Sequence, residues 1–305
     1  MNETISIVIV SWNVSQLLRN CIRSIYASKG DFNLEIIVVD NNSSDDTTVV
    51  IKKEFPDVVL ICNKTNLGFA RANNQGFKIA KGEYIFILNP DTEIDKNCIT
   101  FLLKALLSSP EIGMTGPKLL YKDGNIQYAC ARKLPNLKSF LFNQSLRLNR
   151  LFRNNEKEYN RSVPGFVQAI SGAAMFIKKD FLVSIGMFND EYIHCGEDLE
   201  LCFRVINQNK KILYVPDARV IHYEGKSSKQ NYVRTGVNMN ISVQKYYLHT
   251  QGKLASIAFR SIICFIQIPV DLTTGGIKFM TGRISKKDFI ARLRLAWKTL
   301  KWEPL

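Results

Sequence analysis

The chain has 305 residues, 46% hydrophobic and 22% charged, which is ordinary for a globular protein and enough for one large α/β domain plus an appendage. Its formal charge of +14 and pI near 9.4 are not ordinary and point to an anionic partner: nucleic acid, an anionic membrane surface or a phosphorylated substrate. Seven cysteines without a Cys-x-x-Cys pair argue against a zinc ribbon or redox motif and for a reduced cytosolic compartment; no signal peptide and no uninterrupted apolar run of membrane-spanning length is expected.

Ile5 to Val10 reads as a strand ending in Ser11-Trp12-Asn13. Leu17, Leu18, Cys21, Ile22, Ile25 and Tyr26 then recur at helical spacing. Glu35 to Val39 is a second buried strand closed by Asp40, and the polar loop from Asn41 to Asp46 can cap a following helix. Val58 to Cys62 is the third strand, and Asn66-Leu67-Gly68-Phe69 turns into a helix from Ala70 to Ala80. The fourth strand, Tyr84 to Leu88, is continuously apolar, as a strand buried on both faces must be. Strands alternating with helices imply a parallel sheet with right-handed crossovers, an α/β half of nucleotide-binding type.

Asn89-Pro90 ends the fourth strand and delivers Asp91 at its carboxyl end, the edge where open α/β sheets bind ligands. A carboxylate there suits a divalent cation bridging phosphate oxygens; it could equally cap a helix starting near Asp95. That helix runs to Leu107, before Pro110. Lys118 to Ala129 reads as a hairpin turning at Asp123-Gly124-Asn125, and Ser139 to Arg161 as a basic amphipathic helix. Phe166 to Ile177 returns to strand, with Gly172-Ala173-Ala174 permitting a close approach to the backbone. Gly196-Glu197-Asp198 opens a helix to about Gln208, and Lys211–Val215 and Arg219–His222 are two short strands.

Ser11, Asn13, Asp40, Asn42 and Asn66 would gather at the carboxyl edge of that sheet. An acidic residue in the place of Asp40 can accept from a nucleobase imide or a ribose hydroxyl. Neither Gly-x-Gly-x-x-Gly nor a P-loop is present, so a bound diphosphate would need a metal to neutralise it, which directs attention back to Asp91. His222, at a strand end, is either structural or a ligand for a metal such as Mn²⁺. Glu197 and Asp198 sit where a helix N-terminus favours ionised carboxylates.

Taken together, these motifs resemble family 2 glycosyltransferases of the GT-A fold, in the rhamnosyltransferase-like branch. The matching pieces are Val8–Asn13, Val38–Asp45, Asn66–Gly76, Leu88-Asn89-Pro90-Asp91, Ser171–Met175, Gly196–Arg204 and His222, in family order over about the first 230 residues. The resemblance implies a mostly parallel mixed sheet flanked by helices and a C-terminal helical appendage. It also implies inverting transfer of a sugar, L-rhamnose first, from a dTDP- or UDP-sugar to a hydroxyl of a saccharide or lipid-linked saccharide. Ser11, Asn13, Asp40, Asn42, Arg71 and Asn89 would contact the nucleotide. Asp91 and His222 would hold Mn²⁺ or Mg²⁺, and Asp198 would be the general base, with Glu197 the next candidate. Asn89 stands where many relatives have the first aspartate of an Asp-x-Asp motif. A sugar-1-phosphate nucleotidyltransferase and a non-enzymatic binder of anionic surfaces or nucleic acid are the alternatives. Ser11–Ser15 lacks the glycine and lysine of the first, and the aromatics lie inside apolar runs, against nucleic acid as a partner.

The expected division is a catalytic domain over 1–250, with a nucleotide half to about 115 and an acceptor half beyond it, then a basic tail over 251–305. Leu254 to Ile268 is apolar and is expected to stop at Pro269. Ser285 to Asp288 reads as a capping box for a helix with Phe289, Leu293, Trp297 and Leu300 on one face. The tail carries ten Lys/Arg against three Asp/Glu, a net +7. The expectation is a cytoplasmic protein lying peripherally on the inner face of the plasma membrane, with a homodimer interface as the other use of this surface.

Overall fold

The computed structural model describes residues 3–137, 160–192, 195–223 and 232–302. The chain forms two compact units. The first, from the described parts of 1–134, 156–191 and 197–227, holds a nine-stranded mixed sheet. The second draws on the described parts of 135–155, 192–196 and 228–305.

In the first unit the amino-terminal part follows the expected alternation: β1 (Glu3–Ser11), α1 (Ser15–Tyr26), β2 (Phe32–Asp40), α2 (Thr47–Glu54), β3 (Val59–Cys62), α3 (Phe69–Ile79) and β4 (Tyr84–Leu88). These four strands are parallel in the order β3-β2-β1-β4. All five residues of β4 are buried, as its apolar run requires. Helix α3 lies tightly on β1, since a Cβ on Gly76 would come within 2.4 Å of a Val8 methyl.

Beyond β4 the sheet becomes mixed, and several expectations change. A short strand β5 (Thr92–Ile94) follows Asp91, and helix α4 (Cys98–Leu107) starts only afterwards, so Asp91 does not cap it. Strand β6 spans Ile112–Leu120; of the expected hairpin only a turn remains, closed by Tyr121 N–H to Asn125 O at 2.8 Å and one bridge between Leu120 and Ile126. The strand expected over Phe166–Ile177 is two, β7 (Gly165–Val167) and β8 (Ala174–Lys178), because the Gln168–Ala173 segment leaves the ladder. After α5 (Lys179–Ser184) and α6 (Glu197–Asn207), the two strands expected near the end are one, β9 (Lys211–His222). Its register against β6 shifts between Pro117 and Lys118, so an irregularity absorbs Pro216-Asp217-Ala218 and the strand does not break. The basic stretch expected as a helix lies, apart from Asn160 and Arg161, outside the described residues.

The second unit contains α7 (Tyr232–Ile262), kinked at Gly252 where φ is 86°, then a π-helical turn (Ile263–Gln267), α8 (Ile268–Met280) and α9 (Lys286–Lys301). The kink lies two residues beyond residue 250, and the described residues from Tyr232 group with the tail. Pro269 does not stop the chain either. It occupies the first turn of α8, and the wider π turn before it accommodates a residue that lacks an N–H and crowds the carbonyl four residues back. Among the described residues one helical stretch, Gly236–Met280, is long and apolar enough by length and composition to cross a membrane, with mean hydropathy 1.5 in its best window. Counting uninterrupted apolar residues misses it, because Arg260 and Gln267 break the run without pulling its average down far enough. The capping box is present: Asp288 N–H donates to Ser285 Oγ at 3.1 Å and Ser285 N–H to Asp288 Oδ2 at 3.2 Å.

Candidate active site

The register of β1 on β2 puts Ser11 opposite Asp40 at the carboxyl edge of the sheet. Both are buried, and the loops after them are laced together. Asn13, at φ 55°, accepts Ser44 N–H on Oδ1 at 2.7 Å and donates its own N–H to Ser43 Oγ at 3.0 Å. Asp40 Oδ2 accepts Ser43 N–H at 3.1 Å. Asp45 accepts from Ser15 N–H and Thr47 N–H, both at 3.1 Å. Burial works against its ionisation, but hydrogen bonds from Thr47 and Ser15 outweigh it and hold its pKa below the usual carboxylate range. Asn41 joins this edge to the next loop, donating to Asn66 Oδ1 at 2.9 Å and accepting Leu67 N–H at 2.9 Å.

What this bracing leaves over is informative. Ser11 Oγ and Asp40 Oδ1 are buried and form no hydrogen bond. A buried polar atom without a partner costs on the order of 1–3 kcal/mol, so two on facing residues mark a place shaped for a polar ligand. Asn42 stands exposed beside them at φ 67°. Arg71 is not drawn to this cluster: its Nε donates to the Asp190 carbonyl at 3.3 Å, and Asn74 ties the same segment to α3 through Phe188 O and Asp190 Oδ1.

The second group is assembled by β5 and β9. Their antiparallel pairing sets Thr92 opposite His222, and Tyr223 N–H donates to Asp91 O at 2.9 Å. Asp91 Oδ1 and His222 Nε2 thereby lie 3.4 Å apart, each residue 8% exposed. Gln127 decides the tautomer. Its Nε2 donates to the His222 carbonyl at 2.8 Å, so its Oε1, 2.9 Å from His222 Nδ1, must accept from that nitrogen. The proton of a neutral ring is then on Nδ1, and the Nε2 lone pair faces the Asp91 carboxylate. Asn89 Nδ2 is also 3.4 Å from Nε2, so Asn89 belongs with this pair rather than with Ser11 and Asp40.

Two electron-pair donors facing each other without a proton between them suit a divalent cation, and a histidine oriented through its second nitrogen is the usual arrangement in metal sites. Among the described residues no cluster of three or more His, Cys, Asp or Glu could hold a metal. With two protein donors, the remaining positions would fall to phosphate oxygens and water.

The third group lies at the start of α6. Asp198 Oδ2 accepts from Arg132 Nη2 at 2.7 Å and from Gly172 N–H at 3.1 Å, while Oδ1 accepts from Leu199 N–H at 2.8 Å. Asp198 is the group that the small residues expected near Gly172 admit: a Cβ on Gly172 would meet Asp198 Cβ at 3.2 Å. Burial, reinforced by the Asp198 charge, pushes Glu197 up to about 8, so it holds its proton at neutral pH. Further along α6, Arg204 grips buried Glu200 with two hydrogen bonds of 2.8 and 2.7 Å and also binds the carbonyls of Ile185 and Met187. That clamp fixes the helix that presents Asp198. Neither Arg132 nor Gln127 carries a local signal in the sequence.

The sheet and its helices have the GT-A fold of known glycosyltransferases. A mannosyltransferase from Pyrobaculum calidifontis, solved with GDP-Man and Mn²⁺, superimposes with a TM-score of 0.57 over 98% of this chain and 88% of its own, at 15% identity. The profile of glycosyl transferase family 2 matches residues 6–186, and the chain belongs to that family. O-antigen biosynthesis protein RfbC of Myxococcus xanthus is 24% identical over 74% of this chain, which spans only 18% of that relative's length. The N-acetylglucosaminyl-diphospho-decaprenol L-rhamnosyltransferase of Mycobacterium tuberculosis is 23% identical, covering 75% of this chain and 78% of its own. These relatives support the rhamnosyltransferase-like branch. Membership of the family removes the nucleotidyltransferase and the non-enzymatic binder from consideration.

Proposed function

We propose that this glycosyltransferase moves a sugar, L-rhamnose first, from a nucleoside diphosphate to a hydroxyl of a saccharide or lipid-linked saccharide, with inversion, in the assembly of a cell-surface polysaccharide or glycolipid. The observation that carries the reading is the Asp91–His222 pair, brought together at 3.4 Å by the β5–β9 register and held in one tautomer by Gln127. Asp40 Oδ1 and Ser11 Oγ accept and donate to the base and ribose, with Asn13 and Asn42 close by and Asn89 contacting the nucleotide from beside the Asp91–His222 pair; Arg71 has the weakest claim of the set. Asp91 and His222 hold Mn²⁺ or Mg²⁺, which when bound supplies positive charge to the departing diphosphate. Asp198 removes the acceptor proton as the hydroxyl oxygen attacks the anomeric carbon from the face opposite the diphosphate. The mycobacterial relative, named for rhamnosyl transfer to a diphospho-decaprenol saccharide, supports rhamnose and a diphosphate-lipid acceptor.

A thermal-shift panel of dTDP, UDP, GDP and their sugars, each with and without Mn²⁺, tests the donor. Ligand at about 100 times its Kd stabilises by about 2.7 kcal/mol, and dTDP-L-rhamnose with Mn²⁺ is expected to give the largest shift. A panel in which no nucleotide raises the melting temperature only in the presence of metal overturns the reading.

The second unit is proposed to rest on the anionic inner leaflet. Helix α9 buries Ala296 and Thr299 and turns Leu295 onto Gly236, so its packed face is not the one carrying Leu293, Trp297 and Leu300. Those three are exposed, Trp297 at 62%, and so are Leu254 at 84% and Phe265 at 79%. Apolar side chains set among ten basic residues fit a surface of acyl chains under anionic headgroups. In co-sedimentation with phosphatidylglycerol vesicles the full chain is expected to pellet and to be released by high salt. The paired changes Trp297→Ser and Leu300→Ser should weaken pelleting several-fold. Release only by detergent would mean a spanning helix; no pelleting, with a dimer in solution, would give the face to a second copy.

A further inference from the structure

Two adjacent carboxyls, Glu197 and Asp198, open α6, and only one of them can serve as base at a given moment. We infer that Arg132 is a positioning residue that fixes the orientation of the Asp198 carboxylate and leaves its Oδ1 as the proton-accepting atom. The inference rests on the reading of Asp198 as base.

The hydrogen bonds around Asp198 define the argument. A carboxylate has about four acceptor positions, two on each oxygen. Arg132 Nη2 and Gly172 N–H occupy both on Oδ2, and Leu199 N–H occupies one on Oδ1. Among the described residues the remaining position is on Oδ1, so an incoming hydroxyl can donate only there. The guanidinium is held by its own backbone: Arg132 N–H donates to Ala169 O at 3.0 Å and Arg132 O accepts Ala169 N–H at 2.9 Å, a bridge that anchors the residue at the edge of the β7–β8 connection. Its Nε is buried without a hydrogen bond, so the side chain is directed by the Asp198 contact and not by a network of its own.

Among the described residues, Arg132, Glu197 and Cys202 interact electrostatically with Asp198, the last two from α6 itself. Burial pushes the Cys202 thiol up to about 12, so it stays neutral. Glu197 is more deeply buried than Asp198 and makes no ion pair among those described, whereas Arg132 meets Asp198 directly at 2.7 Å. Burial is the larger cause that keeps the proton on Glu197, so Arg132 acts on where the Asp198 oxygens point: without it Oδ2 loses one of its two donors and the carboxylate can turn.

The test uses the full chain and reads transfer from dTDP-L-rhamnose as kcat separately from dTDP affinity. In Arg132→Gln kcat is expected to fall about tenfold or more, because a base turned out of line with the hydroxyl loses its alignment, while dTDP affinity stays unchanged. Arg132→Lys, which keeps the charge and a donor, should restore part of the loss. Circular dichroism confirms folding, and Arg132→Lys carries the test if the glutamine variant does not fold. Wild-type kcat in Arg132→Gln, or a loss of dTDP affinity equal to the loss of kcat, overturns the inference. Full activity in Asp198→Asn overturns the base assignment instead.

Discussion

Asp198→Asn is expected to lower transfer by about 10²–10⁴-fold while dTDP binding stays within about twofold, because a general base contributes that much to rate and little to donor affinity. Asparagine keeps the shape, and its carbonyl oxygen can still accept one of the hydrogen bonds at this position. It cannot take a proton from a hydroxyl. Glu197 does not replace it at neutral pH, since burial is the larger cause of its raised pKa and persists when the Asp198 charge is removed. Residual turnover in the variant should therefore rise with pH as Glu197 loses its proton, at a pH below the wild-type value because the Asp198 charge that helps to raise it is gone. Rate against pH, with dTDP-L-rhamnose and a lipid-diphosphate saccharide acceptor, measures both points. A variant that keeps more than about a tenth of the rate at pH 7 assigns the base to Glu197.

The amino-terminal half was legible because its signals are strong and local. Continuous apolar runs in β1, β2 and β4, separated by amphipathic helices, leave little freedom in a parallel α/β arrangement. Later elements were hidden for identifiable reasons. Strand β5 has only three residues, too short for any periodicity, and β6 contains Gly113, Gly116 and Pro117, which read as loop. Pro216-Asp217 looks like the end of a strand, yet a shift of register keeps β9 continuous. The tail was misjudged at Pro269 because a proline in the first turn of a helix looks, in sequence, like one that ends it.

The site divides in the same way. Ser11, Asp40, Asp91 and Asp198 announce themselves by following apolar runs or opening a helix. Their partners do not. Gln127 faces His222 from a segment far away in sequence, and Arg132 reaches Asp198 from just beyond it. Both contacts exist only once β6 and β9 lie side by side and the β7–β8 connection folds back. The side-chain oxygen of Asn13 braces Ser44, a contact that its place after β1 does not announce. Motif spacing reveals residue types suited to a chemistry; the hydrogen-bond pattern separates the atoms still available from those already engaged.

The last expected result concerns the metal. In calorimetric titration of the full chain with dTDP, Mn²⁺ should strengthen binding in the wild type and have no effect in Asp91→Ala. The reasoning begins with charge. No glycine-rich loop cradles a phosphate in this sequence, so the two negative charges of a diphosphate near Asp91 and Asp40 need a counter-charge. Among the described residues Asp91 supplies the only carboxylate facing the Nε2 of His222, with the amide of Asn89 beside it in place of a second acid. Removing that carboxylate leaves one imidazole nitrogen, too little to hold a hard cation. Gln127→Leu separates this account from a purely structural Asp91–His222 contact. Loss of the Gln127 acceptor frees the ring to place its proton on either nitrogen, and outer partners of this kind typically alter metal affinity by about 10–100-fold. Binding of dTDP without metal should be nearly unchanged in both variants. If Asp91→Ala retains the full Mn²⁺ dependence, the cation is held elsewhere, and Asp91 and His222 are a structural pair at the end of two paired strands.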